Sequence, residues 1–427
     1  MKSLTFLASA LAAAPLLAAV PVIDTSSVSV QQGPGKTVVI DYTMNPATSG
    51  DTEPAIVTVD ILTNAVGGVA TSVGGEHLTT LSGDVNKIVA HTADYKHKIL
   101  WEPTKEGFPE FKLPAEQVTA KITLWSTNAP PNYWIIDLTH PSDRTYDRYY
   151  PEVGQIPLGV TNVLYKTDRL VMRRIPAKGV TWKEGYAESV SLHTYRYTTF
   201  SYDYYIGIYE VTTHQYSKVI PNGWGAPSVT DANRLLPHTQ RLGLWRGDTW
   251  GWPGNKFTQT TDLGWVRGPR EGIGFRFDIP SGAEWEFACR AGSSTKYCNG
   301  DTAEDLDKVA WTTSNSGGVY HEVGTKEPNA WGLYDMHGNA AEFALTRAAT
   351  RAATPVWDPL GPATSEIHTS GSTPPYCDRT DRWQIRGGAG KSHGQSVQGY
   401  LPSGYVGKGM TDHTDNPFGI RLCLPIP

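Results

Sequence analysis

Asn329-Ala-Trp-Gly-Leu-Tyr-Asp-Met-His-Gly-Asn-Ala-Ala-Glu342 is the densest chemical stretch of the chain. Asp335 and Glu342 bracket a Gly338-Asn339 turn, so two carboxylates can approach one point while the carbonyls of Gly338 and Ala340 turn inward. Hard oxygens from side chains and main chain in a compact loop suit a calcium ion. The same spacing also suits a tight turn whose carboxylates cap backbone amides. Spacing alone leaves these two readings level.

Upstream of this loop, Ser281 with Glu284 is a capping box, Pro280 precedes it and Gly292 closes the helix. Trp285, Ala288 and Cys289 recur at helical spacing and face the core, so Cys289 reads as a buried or disulfide cysteine rather than a reactive one. Thr212 with Gln215 is a second capping box, and its helix stops before Pro221-Asn222-Gly223. A third helix is expected around Asp231–Leu236. Everything else from about residue 162 onward reads as short strands and long loops rich in Gly and Trp. Long loops on a scaffold commonly carry function.

The composition agrees with a loop-rich protein. Among 427 residues there are 43 Gly, 30 Pro and 14 Trp, only 19% charged residues, a net charge of −5 and 4 Cys. That balance excludes disordered, coiled-coil and collagen classes and gives no basic footprint for nucleic acid or anionic lipid. Lys2 followed by an uncharged run from Leu4 to Val20 reads as a secretory signal peptide over 1–19, with no later stretch apolar enough to span a membrane. Export places the four cysteines in an oxidising compartment. From Thr25 to Leu138, β-branched runs at Thr37–Thr43, Ala55–Leu62, Lys98–Trp101, Val118–Trp125 and Tyr133–Leu138 alternate with turn residues. They describe an all-β sandwich of immunoglobulin or fibronectin-III type over 25–138, in which His91 and His97 read as solvated surface histidines. A polar, Pro-bounded linker follows at 139–161, and a second unit runs over 162–427.

Five segments of that second unit, taken in order, resemble the formylglycine-generating enzyme (sulfatase-modifying factor) family. They are Leu170–Ala177, Tyr205–Thr212, Ile279–Ala288, Asn329–Glu342, and Arg386-Gly-Gly388 with Phe418-Gly-Ile-Arg-Leu422. The resemblance spans Asn162 to Pro425 and implies an α+β domain of C-type-lectin-like topology with few regular elements. It also implies calcium at Asp335, Gly338, Ala340 and Glu342, in line with oxygen-only ligation. A second calcium would fall around Asn315, Ser316 and Lys326, but Gly324 stands where the family has a carboxylate. In the enzymes, two cysteines after the Arg-Gly-Gly strand hold copper(I), and a substrate cysteine is oxidised to formylglycine using oxygen. Those places fall on Ser392 and Val397, and neither a hydroxyl nor an isopropyl group binds copper(I). Cys289 matches a helix position disulfide-bonded to the last strand in some relatives, which implies Cys289–Cys423 and leaves Cys298 with Cys377; Cys289–Cys298 is the rival pairing.

Two other features carry less. Gly388-Ala-Gly-Lys-Ser392 has Ile at position 385, where a phosphate loop needs Gly. Trp245, Trp250, Trp252 and Trp265 with Arg246 and Arg267 could line a peptide or carbohydrate groove, though such aromatics are more often core. The reading that results is an exported pseudoenzyme that acts by binding an extracellular or envelope ligand. An enzyme of other chemistry would use the region of Ser392, His393, Asp412, His413 and Asp415. A ligand-display protein, like the lectin-fold variable proteins of diversity-generating retroelements, would want Asn-rich positions, yet Gln395 to Asn416 contains one Asn.

Overall fold

A computed structural model describes residues 21–426 apart from 49–52, 65–69, 109–117, 141–142, 186–194, 220–227, 240–278, 348–355, 358–381, 391–402, 404–406 and 411–417. The signal segment over 1–19, the four tryptophans and two arginines of the groove, Cys377, Ser392, His393, Val397, Asp412, His413 and Asp415 lie outside the described residues. The chain is mixed, with many short strands and few helices.

At the N-terminal end, β1 (Val22–Gln32), β2 (Val38–Asn45), β7 (Lys96–Trp101) and β5 (Ser82–Gly83) form one antiparallel sheet. In a second, β3 (Ala55–Asn64) pairs with β4 (Ala70–Ser72), β6 (Lys87–Val89) and β8 (Val118–Trp125). Alternate residues of β2, from Val38 through Ile40 and Tyr42 to Met44, turn into one core with Val57, Val59 and Ile61 of β3 and Ile99 and Trp101 of β7. His97 sits on the same inward face of β7 as Ile99 and Trp101 and is therefore not a surface residue. It is 4% exposed, its Nδ1 lies 3.1 Å from Asp84 Oδ2, and its ring stacks on Tyr42.

The central sheet runs β10 (Arg148–Tyr150), β9 (Tyr133–Asp137), β11 (Arg169–Ile175), β14 (Asp203–Gly207), β21 (Cys423–Ile426), antiparallel throughout. Its two faces carry separate cores. Trp134, Ile136, Leu170 and Met172 lie on one; Tyr133, Ile135, Val171, Tyr204 and Ile206 lie on the other. Tyr133–Leu138 was expected among the N-terminal strands. Every residue of β9 is buried, and it pairs with β11 on one side and β10 on the other. The stretch 139–161, expected as a linker, supplies β10 and the turns around it.

The helix α1 (Thr213–Val219) starts on the expected capping box, with Thr212 N donating to Gln215 Oε1 and Gln215 N to Thr212 Oγ1. The helix α2 (Gly282–Arg290) starts on the Ser281–Glu284 box and buries Trp285, Ala288 and Cys289. Asp231–Leu236 forms turns instead of a helix, held by Asn233, whose side chain accepts from Thr230 N and donates to Ser228 O. A helix not anticipated, α3 (Ala303–Val309), starts on Thr302 and Asp305. Small sheets complete the unit: β12 (Thr181–Glu184), β13 (Arg196–Thr199) and β18 (Val356–Trp357); β15 (Ala310–Trp311) with β16 (His337–Gly338); and β17 (Glu342–Arg347), β19 (Arg382–Arg386) and β20 (Gly407–Met410).

Beside β9 and β10, Asp147 is 2% exposed; it accepts from Trp134 Nε1 at 2.9 Å and Asp137 N at 3.1 Å, with Arg144 Nη1 at 3.4 Å. Burial pushes its carboxyl up to about 6, against the pull of Arg144 and these hydrogen bonds. The folded state thus holds this proton more tightly than the unfolded state, so the contribution is fully present below about pH 4 and lost as pH rises toward 6. The shift from 3.8 corresponds to about 3 kcal/mol. Asp147→Asn is expected to flatten the melting-temperature profile between pH 4 and 7 relative to the native chain, measured by calorimetry at matched ionic strength.

Candidate functional site

The loop is tied to its surroundings from both ends. Asn329 donates to the carbonyls of Ala288 and Cys289 at the end of α2 and accepts from Trp331 N and Leu333 N. Tyr334 N then donates to Ile208 O of the central segment. Three left-handed positions shape the turn: Asp335 (φ 55°), Gly338 (φ 78°) and Asn339 (φ 52°). Gly338 is the one that requires glycine, because an added Cβ would stand 2.1 Å from Trp311 O.

The turn delivers its polar groups to a buried carboxylate that sequence reasoning did not single out. Glu210, fully buried, accepts from Asn339 Nδ2 at 2.7 Å and Ala340 N at 2.9 Å. Burial, and then the neighbouring charges of Asp335 and Glu342, raise its carboxyl well above the usual range. Asp335, 2% exposed, accepts from Gly324 N on Oδ2 at 2.6 Å, while Oδ1 is buried without a hydrogen-bond partner. Burial pushes it up to about 6 despite that amide and the nearby Arg421.

Glu342, expected beside Asp335 as an ion ligand, is engaged elsewhere. Arg421 closes on it with Nη2 at 2.6 Å and Nε at 3.0 Å, and Trp285 Nε1 donates to its Oε2 at 2.6 Å. Arg421 also donates to Gly207 O and Tyr334 O, so one guanidinium joins the loop, β14 and the last segment of the chain. A second buried pair, Arg386–Glu286 at 3.1 Å, braces α2 against β19. Among the described residues no group of three or more His, Cys, Asp or Glu side chains is arranged to hold a metal. Of the two carboxylates, Asp335 thus keeps one buried oxygen, Oδ1, without a hydrogen-bond partner, while Glu342 is paired with Arg421.

The residues considered for a second calcium form a different arrangement. Asn315 accepts from Thr312 N and donates to Asp307 Oδ1 and Ala310 O. Ser316 Oγ donates to Gly390 O, and Ser316 O accepts from His321 Nε2. Lys326 Nζ donates to Asp307 O at 2.5 Å and lies 4.3 Å from the Trp311 ring centre, on which His321 also stacks. Each of the three residues is thus engaged in hydrogen bonds within the fold.

No disulfide is found among the described residues, where Cys289, Cys298 and Cys423 are all buried. Cys289 Sγ lies 3.5 Å from His337 Nε2 and 3.8 Å from Met336 O, and the same Nε2 accepts from Cys298 N. Burial raises the Cys289 thiol strongly and pushes Cys298 up to about 12, so neither is a thiolate at neutral pH. Cys423 is set on β21 opposite Ile206.

Comparison with known proteins adds to this geometry. Over 175 residues the chain is 28% identical to the chaperone protein LppX of Paenibacillus barcinonensis, covering 33% of this chain and 61% of that protein. The chain thus spans about three-fifths of the length of the curated relative it matches. Among solved structures, Treponema denticola variable protein 1 is similar at 22% identity, covering 61% of this chain and 96% of that one with a TM-score of 0.44. PvdO from Pseudomonas aeruginosa is similar at 19% identity, covering 60% and 94% with a TM-score of 0.41. Residues 179–423 match the sulfatase-modifying factor enzyme 1-like domain, a stretch that holds α2, the Asn329–Glu342 loop and Arg421 alike, and the chain belongs to that family.

Proposed function

We propose that this protein is an exported pseudoenzyme: a formylglycine-generating-enzyme-like domain of C-type-lectin-like topology, preceded by a β-sandwich, that has given up cysteine oxidation and acts by binding. The observation that carries this reading is the identity of two residues, Ser392 and Val397, at the places of the family's copper-holding cysteines. Copper(I) needs soft thiolate ligands, and these side chains supply none. The buried braces Arg421–Glu342 and Arg386–Glu286 hold the described part of the domain together. Calcium, held by Asp335 Oδ1 and the carbonyls of Gly338 and Ala340, would fix the loop in place. The ligand class is a peptide or carbohydrate of the cell exterior. Purified mature protein, loaded with copper(I) and supplied with oxygen and a cysteine-bearing peptide, is expected to leave the peptide mass unchanged while binding members of a peptide or glycan array. Conversion of the cysteine to formylglycine would overturn the reading.

A second reading takes support from the similarity to the Paenibacillus barcinonensis chaperone: the binding would assist the folding of another exported protein. In that case the chain raises the refolding yield of a denatured exported enzyme at near-stoichiometric ratio. An unchanged yield removes this reading and leaves the first intact.

A further inference from the structure

The strands β12 and β13 have one face fixed to α2 and the other turned outward. On the inner face Trp182 packs on Phe287 of α2 with ring centres 5.3 Å apart. Glu184, 1% exposed, accepts there from Arg196 Nε at 2.6 Å and Thr198 Oγ1 at 2.8 Å. The end of β12 is clamped as well, Gly185 N donating to Glu286 Oε1 and Gly185 O accepting from Arg290 Nη2, both at 2.8 Å. Side chains of a strand alternate between faces, so Thr181 and Lys183 of β12 and Tyr197 of β13 point the other way, and all three are exposed. Lys183 and Tyr197 stand directly opposite one another in the ladder. Tyr195, two residues before Tyr197, joins them, because the Lys183 ammonium lies 3.7 Å from the centre of its ring. Tyr197 is 57% exposed and Tyr195 37%. The outward face thus presents two aromatic rings and a cation on a rigid base, while the one carboxylate of the two strands, Glu184, is turned inward and paired with Arg196.

We propose that Lys183, Tyr195 and Tyr197 form a binding platform for an acidic polysaccharide. A tyrosine ring is apolar on its faces and polar at its tip, so it stacks on the C–H face of a sugar ring while its hydroxyl meets the sugar's own hydroxyls. A peptide taken up by a sheet adds along an open edge through its backbone, whereas these groups stand on a face. Lys183 supplies the charge complement, in a chain whose net charge is −5. From the binding reading above the proposal takes only that the ligand is a peptide or carbohydrate, and between those two it selects the carbohydrate.

The test titrates three polymers into the full chain calorimetrically: polygalacturonate, its methyl ester, which lacks the charge, and poly-glutamate, which keeps the charge without the sugar. The native chain is expected to bind polygalacturonate, and its methyl ester about threefold more weakly, the usual worth of one exposed charge pair. Lys183→Gln is expected to bind the two alike, and Lys183→Arg to keep the preference. Tyr197→Ala should lose about tenfold in affinity for both, as a truncated aromatic anchor does, while Tyr197→Phe keeps the ring and most of the affinity. Tyr195→Ala repeats the test on the second ring. Unchanged melting temperatures, expected for side chains this exposed, tie these losses to the face itself. Absence of polygalacturonate binding, equal native affinity for polygalacturonate and its ester, native-like binding by Tyr197→Ala, or equal binding of poly-glutamate overturns the proposal. Formylglycine in the copper assay overturns the pseudoenzyme reading instead, so the two failures are distinct.

Discussion

Arg421→Met is expected to leave little folded protein at 37 °C, with a loss of about 3–5 kcal/mol, the usual cost of removing one partner from a buried ion pair. The size follows from where the guanidinium sits. Arg421 is fully buried, its fork is closed on Glu342, and its remaining N–H groups serve the carbonyls of Gly207 and Tyr334. Removing it strands Glu342, and it also takes away the positive charge that offsets Glu210 and Asp335. Total stabilities of about 5–15 kcal/mol leave small margin for such a loss. Arg421→Lys is expected to recover only part of it, since an ammonium cannot span two carboxylate oxygens and two carbonyls at once. Pairing Arg421→Met with Glu342→Gln should restore more than Arg421→Lys, because no uncompensated charge is then left on Glu342. By contrast, Lys98→Ala, which breaks an exposed pair with Asp41, is expected to change stability by roughly 0–1 kcal/mol. Chemical denaturation of the four variants by urea, read by tryptophan fluorescence, separates these cases.

Two of the helices, α1 and α2, and the loop were legible because short-range chemistry makes them. The Ser281–Glu284 and Thr212–Gln215 boxes are local hydrogen bonds, and the left-handed turn at Gly338-Asn339 needs those residue types where they stand. What could not be read locally was the pairing of distant parts. Glu210 and Arg421 lay inside two of the segments that carried the resemblance. Their roles depend on contacts with Asn339 and Glu342, at separations no periodicity reveals. Asp335 and Glu342 were expected at one point, but Arg421 gives Glu342 a nearer partner. The contact of Cys289 went unread for a related reason: it meets His337, a residue whose place beside α2 is set by the parallel pairing of Ala310 with His337. His97 and β9 erred in the same direction. A polar ring and a β-branched run say that a strand is present, but not which sheet or which face receives it.

Cutting the chain at residue 162, where the second unit was expected to begin, should yield a fragment with no cooperative unfolding transition. The fragment lacks β9 and β10, and with them Tyr133, Trp134, Ile135 and Ile136, all 7% exposed or less. Burial of these four side chains contributes roughly 6–12 kcal/mol, comparable with the whole stability of a domain. A fragment beginning at residue 130 keeps both strands and should fold, but less stably than the full chain, because the N-terminal sheets cover the edge that β10 presents. Ile56 of β3 belongs to the same core as Trp134 and Tyr149, and Tyr149 N donates to Asn86 O at 2.8 Å. At Gly75 the contact is backbone to backbone: an added Cβ would stand 2.3 Å from the Gln155 carbonyl carbon and 2.7 Å from Ile156 N. Gly75→Val must therefore push the two segments apart, at about 1–3 kcal/mol or more. If the junction is a fixed interface, Gly75→Val in the full chain should bring its melting temperature toward that of the 130–427 fragment. A native melting temperature in Gly75→Val would mean that the N-terminal sheets are not held against β10. Hydrogen exchange provides the independent check, since the Tyr149 amide should lose protection in Gly75→Val while the Trp285 amide, bonded to Ser281 O within α2, keeps it.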